Sequence, residues 1–278
     1  MFSMKKCILL CALIALFAAC DNNEPKPTKA VTFTVDAFQQ SSAPMAMPKK
    51  SPIYDDTNTE LTDIYVFDGT TEVAHQVSTA EDFGTIVLNL THGTHNLSFI
   101  ATRSTDISVV DEVMTMGGVK STYGKLHTLQ VTNATPSQDI TLDRVNGQLV
   151  ITILDAFPAA ANEIEFIIDP RYNTLDVTTL QAINGESITQ RVSCASKVGK
   201  AEQKFTFATL APSLSEEYTA SVTINVYNAS NAVIYTVTVP AVRLAANTKT
   251  LLSGKLFTAP GANVSVDNTW REDISVGF

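Results

Sequence analysis

Cysteine, tryptophan and arginine are scarce in this chain of 278 residues, and each scarcity closes off possibilities. Of four cysteines, Cys7 and Cys11 lie in a leading apolar stretch and Cys20 directly follows it, so that beyond Cys20 only Cys194 is left. One thiol forms no intramolecular disulfide, which excludes a small secreted scaffold stapled by bridges. The fold has to be held by its own core, and the length suits one large or two ordinary domains. Cys194, in "RVSCASK", has no nearby histidine to activate it. Positive charge is short as well: 19 Lys and Arg stand against 28 Asp and Glu, a net charge of −9 with no basic stripe. Such a chain is not drawn to nucleic acid. Its scattered acids read as an ordinary solvated surface.

Catalytic signatures are also missing. "LLSGKLF" lacks the upstream glycine of a phosphate-binding loop, and there is no G-x-S-x-G elbow or H-E-x-x-H helix. The acid pairs Asp55-Asp56 and Asp111-Glu112 fall in expected loops with no partner brought to them. Among His75, His92, His95 and His127, only His92 and His95 are close in sequence, and no further donor stands beside them to complete a metal site. No stretch alternates oxygen donors around a glycine as a calcium loop does. The expectation is therefore no enzyme, no metal, no cofactor and no small-molecule substrate.

What is there begins at the N-terminus. Lys5 and Lys6 precede an uncharged apolar run, residues 7–17, that closes on the small residues Ala18 and Ala19. This is the layout of a secretory signal peptide over residues 1–19, and a run of about a dozen residues is too short to cross the ~30 Å hydrocarbon core as a helix. Phe17-Ala18-Ala19-Cys20 resembles the bacterial lipobox. The resemblance implies cleavage before Cys20, a diacylglyceryl thioether on its sulfur and acylation of the new amino terminus. Two or more acyl chains give a stable anchor, at about 0.8 kcal/mol for each buried CH₂. Residues 20–30, with Pro25 and Pro27, read as the lipidated tether that follows.

From Val31 the chain alternates. In "VTFTVDAF", Val31, Phe33 and Val35 face one way and Thr32, Thr34 and Asp36 the other, the two-residue period of a half-buried strand. Residues 39–60 contain three prolines and no periodicity, and read as flexible or extended. "LTDIYVFD" is nearly continuous apolar, as in a strand covered on both faces, and Asp68-Gly69 turns it into "TTEVAHQV". Ile86, Leu88 and Leu90, then Leu97, Phe99 and Ala101, share a face on either side of a turn at His92-Gly93. A longer connection is expected between Arg103 and Lys125, with room for one short helix near "VVDEVMTM". Beyond Asn146-Gly147 come seven more strand candidates. In the cleanest, "YTASVTINVYN", Ala220, Val222, Ile224 and Val226 oppose Thr219, Ser221, Thr223 and Asn225. Short strands punctuated by turns predict an all-β fold of two tandem antiparallel β-sandwich domains, residues 31–144 and 145–278.

The succession of lipobox, early strand, proline-rich linker, "LTDIYVFDGTTEVAHQV", "LDRVNGQLVITI" and "LLSGKLFTAP" resembles the fimbrillin-type proteins of Bacteroidales, in particular their fimbrial-anchor branch. Ile64 to Gly69 match that family's strand and turn, and Arg144 matches its arginine before the first strand of the second domain. The resemblance implies two transthyretin-like sandwiches, export as a lipoprotein to the cell outer membrane through Cys20, and assembly with other fimbrial subunits by strand addition. In that mode main-chain hydrogen bonds bind and side-chain pockets set the register. Val31, Phe33 and Val35 are then the strand-exchange candidates. Stalk subunits of the family are trimmed by an arginine-specific protease ahead of the first domain's body. Here no arginine precedes Arg103, and only Lys49 and Lys50 offer a processing point. An uncleaved anchor that keeps its lipid fits this better, with lysine-directed trimming as the route to a stalk or tip subunit. The alternative is a surface glycan-binding lipoprotein of a polysaccharide-capture system, whose aromatic platform would rest on Trp270.

Overall fold

The computed structural model describes residues 26–36, 61–258 and 265–268, and every regular element among them is a β-strand. The first half holds β1 (Thr28–Asp36), β2 (Asp63–Asp68), β3 (Thr71–Val77), β4 (Thr85–Thr91), β5 (Gly93–Thr102), β6 (Thr105–Val110), β7 (Val113–Gly118), β8 (Thr122–Val131), β9 (Gln138–Thr141) and β10 (Asp143–Arg144). A sheet of order β4-β1-β9 faces a sheet of order β10-β8-β5-β2-β3. The core between them takes Val31, Phe33 and Val35 from β1, Ile86, Leu88 and Leu90 from β4, and Leu97, Phe99 and Ala101 from β5. In β1 and β4 each set is one side of a two-residue alternation, with Thr32, Thr34, Val87 and Asn89 on the other face, whereas in β5 the intervening Ser98 and Ile100 are buried as well. The turn at Gly69 adopts φ +59°, a left-handed conformation that glycine takes without a Cβ penalty.

The second half holds β11 (Asn146–Ile153), β12 (Glu163–Arg171), β13 (Thr174–Asp176), β14 (Gln181–Ile183), β15 (Glu186–Ser193), β16 (Gln203–Leu210), β17 (Tyr218–Tyr227), β18 (Val233–Leu244), β19 (Lys249–Gly254) and β20 (Ser265–Asn268). Sheets of order β16-β11-β19-β20 and β15-β12-β17-β18 enclose a separate core around Leu149, Ile151, Phe166, Phe205 and Val222. Strand for strand this sandwich repeats the first: β11, β12, β15, β16, β17, β18 and β19 take the places of β1, β2, β3, β4, β5, β8 and β9. The pairing departs from the purely antiparallel expectation at β1 with β9 and at β11 with β19, which are parallel. The cause is geometric. β8 ends beside the start of β1, since Val131 pairs with Gly93 and Thr28 with Thr91, so the chain returns along β9 in the direction of β1.

A fifth sheet, β14-β13-β7-β6, joins the two sandwiches. Its middle pair combines β7 from the first half with β13 from the second, in the register Thr115 to Thr174, Met114 to Leu175 and Val113 to Asp176. It covers the outer face of β2 and β5, where Tyr65, Phe67 and Ile100 meet Met114, Met116, Leu175 and Leu180. This second cover is why "IYVF" is apolar without alternation. Residues 105–118 form a hairpin in place of the short helix expected there. Met114 and Met116 are buried while Val113 and Thr115 are half-buried, a period of two, and Asp111 turns the chain at φ +53°. At the junction Gly147 passes so close to the Ala245 carbonyl oxygen that a Cβ would collide with it.

Candidate functional site

β1 is seated between two neighbours. It pairs antiparallel with β4 from Thr28–Thr91 to Thr34–Thr85, and parallel with β9 from Phe33–Gln138 to Asp36–Thr141. The ends are closed by backbone bonds: the His92 amide donates to the Pro27 carbonyl, Val35 to Gly84 and Leu142 to Asp36, each 2.8 Å. Val31, Phe33 and Val35 all point into the core, and the Phe33 ring lies 5.2 Å from Phe99 and 6.4 Å, edge-on, from His127. The strand thus lies at the centre of its sheet, and its loss would open a slot between β4 and β9 rather than bare an edge. The alternation of "VTFTVD" marks a strand; its central place follows from partners more than fifty residues away.

The histidines are not gathered into one site. His95 Nδ1 bonds Asp68 and its Nε2 bonds the Thr91 carbonyl at 2.9 Å. Both partners accept, so the doubly protonated ring satisfies both bonds. Burial works against the charge, but the bonds to Asp68 and Thr91 outweigh it and raise the pKa. His75 stacks on Tyr65 at 4.0 Å and bonds Asp63 at 3.0 Å. Burial, with help from the Lys125 charge, holds His127 below the ordinary histidine value despite a bond to Gln138. Among the described residues no three His, Cys, Asp or Glu side chains stand close enough to share a metal ion. Cys194 is fully buried; burial pushes its thiol pKa up, opposed by Lys197 and reinforced by Glu163. Asp111 and Glu112 form the β6–β7 turn, where the Glu112 carbonyl accepts from the Val177 amide. Cys20, Lys49, Lys50, Asp55, Asp56 and Trp270 lie outside the described residues.

Arg144 is a junction residue. It is buried against the Tyr123 ring at 4.6 Å and donates to the Tyr123 hydroxyl and to Asn146 Oδ1 at 3.1 Å. Asn146 Oδ1 also accepts from the Thr122 amide at 2.9 Å. One arginine and one amide thereby tie the end of the first sandwich to the start of the second.

Two further constructions escaped the sequence reading. Asp155, at the end of β11, accepts from the Leu256, Phe257 and Thr258 amides and from the Thr258 hydroxyl, holding the chain where it leaves β19. Burial opposes its ionisation, but these bonds prevail and its pKa falls below the ordinary carboxylate value. On the outer face of β12, Glu165 is only 7% exposed and accepts from Arg191 Nε at 2.8 Å, Asn225 at 3.0 Å and the Tyr227 hydroxyl at 2.7 Å. Thr236 continues the row by donating to Asn225 at 2.9 Å. Each set is spread over strands remote in sequence, and a lone acid in "ITILDAF" or "NEIEFIID" carries no local signal of it.

No family model matches the chain, and no curated protein matches it. Among solved structures it is similar to an adhesin candidate from Bacteroides ovatus, with 11% identity and a TM-score of 0.53 over 77% of this chain and 82% of that one. It is also similar to a second B. ovatus adhesin candidate, at 11% identity and a TM-score of 0.48 over 90% and 99% of the two chains. A third is the fimbrial anchor protein Mfa2 from Porphyromonas gingivalis, at 10% identity and a TM-score of 0.49 over 86% and 95%. At such identities the likeness is one of fold, and the chain shares the β-sandwich architecture of the first of these adhesin candidates.

Proposed function

We propose that this chain is a structural cell-surface lipoprotein, held in the outer membrane by lipid on Cys20 and serving as an anchor or subunit of a fimbrium that joins other subunits by strand addition. The observation that carries the reading is the seat of β1. A strand separated from the next by residues 37–62 supplies the middle of a sheet, with Val31, Phe33 and Val35 filling the core. A segment so placed is separable in sequence yet indispensable in the sheet. Another chain's strand can satisfy the same β4 and β9 backbone groups and the same three pockets. The lipobox-like Phe17-Ala18-Ala19-Cys20 supports export and anchoring, and the adhesin-like fold is compatible with a surface role.

Mass spectrometry of the protein taken from cells tests the anchor. An amino terminus at an acylated Cys20 is the expected result; one at residue 50 or 51, after Lys49 or Lys50, replaces the anchor with a processed, polymerising subunit. For strand addition, a chain lacking residues 26–36 is offered a peptide of sequence TKAVTFTVD. Recovery of the intact chain's melting temperature is expected with this peptide and not with one in which Val31, Phe33 and Val35 are serine. Equal behaviour of the two peptides removes the mechanism.

A further inference from the structure

At the end of the second sandwich remote from the junction, an open cup of about 270 Å³ lies between residues 159–162 of the β11–β12 connection and residues 228–230 of the β17–β18 turn. Its size is close to the lower bound of small-molecule sites, roughly 300–1,000 Å³. Alanines make up its apolar part, and no charged or aromatic side chain lines it. The turn is braced from within: Asn228 Oδ1 accepts from the Ser230 amide at 3.0 Å and the Ala232 amide at 2.9 Å. Among the described residues the Asn162 side-chain amide, the Asn228 Nδ2 and the Ser230 hydroxyl have no bonding partner in the protein, and all three residues line the cup.

The polar row centred on Glu165 adjoins it. The Asn162 backbone N–H donates to the Tyr227 carbonyl at 2.8 Å, and Arg191 donates to Asn231 of the same turn at 3.1 Å. Arg191 lies over the Tyr227 ring at 4.1 Å, and Glu165 orients Arg191, Asn225 and Tyr227 together. Arg191 and Asn225 each keep N–H groups beyond those they give to Glu165. We infer that the cup and this row form a glycan-binding site, the cup taking one neutral sugar residue and the row the residue that follows it. The chemistry selects the class. An apolar ligand would find only methyl groups, and an ion would find no opposite charge in the lining. A polyol matches uncharged donors and acceptors set around a shallow, alanine-floored hollow. The site does not depend on fimbrial assembly, because it is read on the isolated protein, so failure of either proposal leaves the other standing.

The experiment is saturation-transfer difference NMR on the purified protein with glucose, galactose, mannose and N-acetylglucosamine, and with N-acetylneuraminic acid as the acidic comparison. Transfer to at least one neutral sugar is expected, and its loss in Ala160→Trp, which fills the cup from an exposed position. Asn162→Ala, which removes only a free amide, is expected to weaken binding several-fold, and is read in place of Ala160→Trp if that variant melts below wild type. No transfer to any neutral sugar, transfer to the acidic sugar alone, or full transfer in the folded variants overturns the assignment.

Discussion

Replacing Phe33 by alanine tests whether β1 belongs to the core of the first sandwich. The side chain is 0% exposed, packs on Phe99 at 5.2 Å, and belongs to a strand paired on both sides. Truncating a phenylalanine in such a site costs about 3–5 kcal/mol, from lost transfer energy and the cavity left behind. Against the roughly 5–15 kcal/mol that holds a domain together, this is a large share. With a urea m-value of about 2 kcal/mol/M, the unfolding midpoint of the first sandwich should fall by roughly 2 M. The internal control is the next residue on the opposite face: Thr32→Ala points out of the core and should stay within about 0.5 kcal/mol. Urea unfolding followed by fluorescence and circular dichroism measures both. A loss below about 1 kcal/mol for Phe33→Ala, or equal losses in the two variants, would mean that the strand is not seated in the core, and the strand-addition proposal would fall with it.

Three further perturbations address other parts of the molecule. His95 has a raised pKa in the fold, so its contribution is fully present below the unfolded value of 6.5 and is lost as pH rises through the folded value. Thermal melts across neutral pH should show that decline in wild type and not in His95→Gln; identical slopes refute it. Asp155 has a lowered pKa, so its contribution is present above the ordinary 3.8 and disappears as pH falls through the folded value. Asp155→Ala should cost about 1.5–3 kcal/mol near neutral pH and flatten the acid limb, and an unchanged acid transition counts against the clasp. Leu175, fully buried where the second sandwich reaches onto the first, should cost about 2–5 kcal/mol as alanine. Calorimetry should then split one transition into two; a wild-type protein that already unfolds in two steps contradicts the coupling ascribed to the fifth sheet.

The long strands were legible because their alternation is local. "VTFTVD", "TIVLNLT" and "YTASVTINVYN" each display one apolar face, and all three are buried as that pattern demands. The continuous "IYVF" announced a strand covered twice, although not what covered it. The connection from Arg103 to Lys125 misled because its strands are short and its partner β13 is three residues long, some sixty positions ahead in the chain. The candidate site was legible only in part. Val31, Phe33 and Val35 could be named from period alone, whereas the glycan reading rested on Trp270 and the structure draws attention instead to Asn162, Asn228 and the row around Glu165. Nothing in "NEIEFIID" distinguishes a solvated glutamate from one enclosed by Arg191, Asn225 and Tyr227.

By itself, the sequence determined the β class and which side of each long strand faces inward, because an extended backbone turns successive side chains to opposite faces whatever its surroundings. Which strands become neighbours was decided only in three dimensions. Backbone N–H and C=O groups are the same at every residue, so the central place of β1, the parallel return of β9 and the sheet that locks the two sandwiches together depend on how distant apolar faces are buried at once.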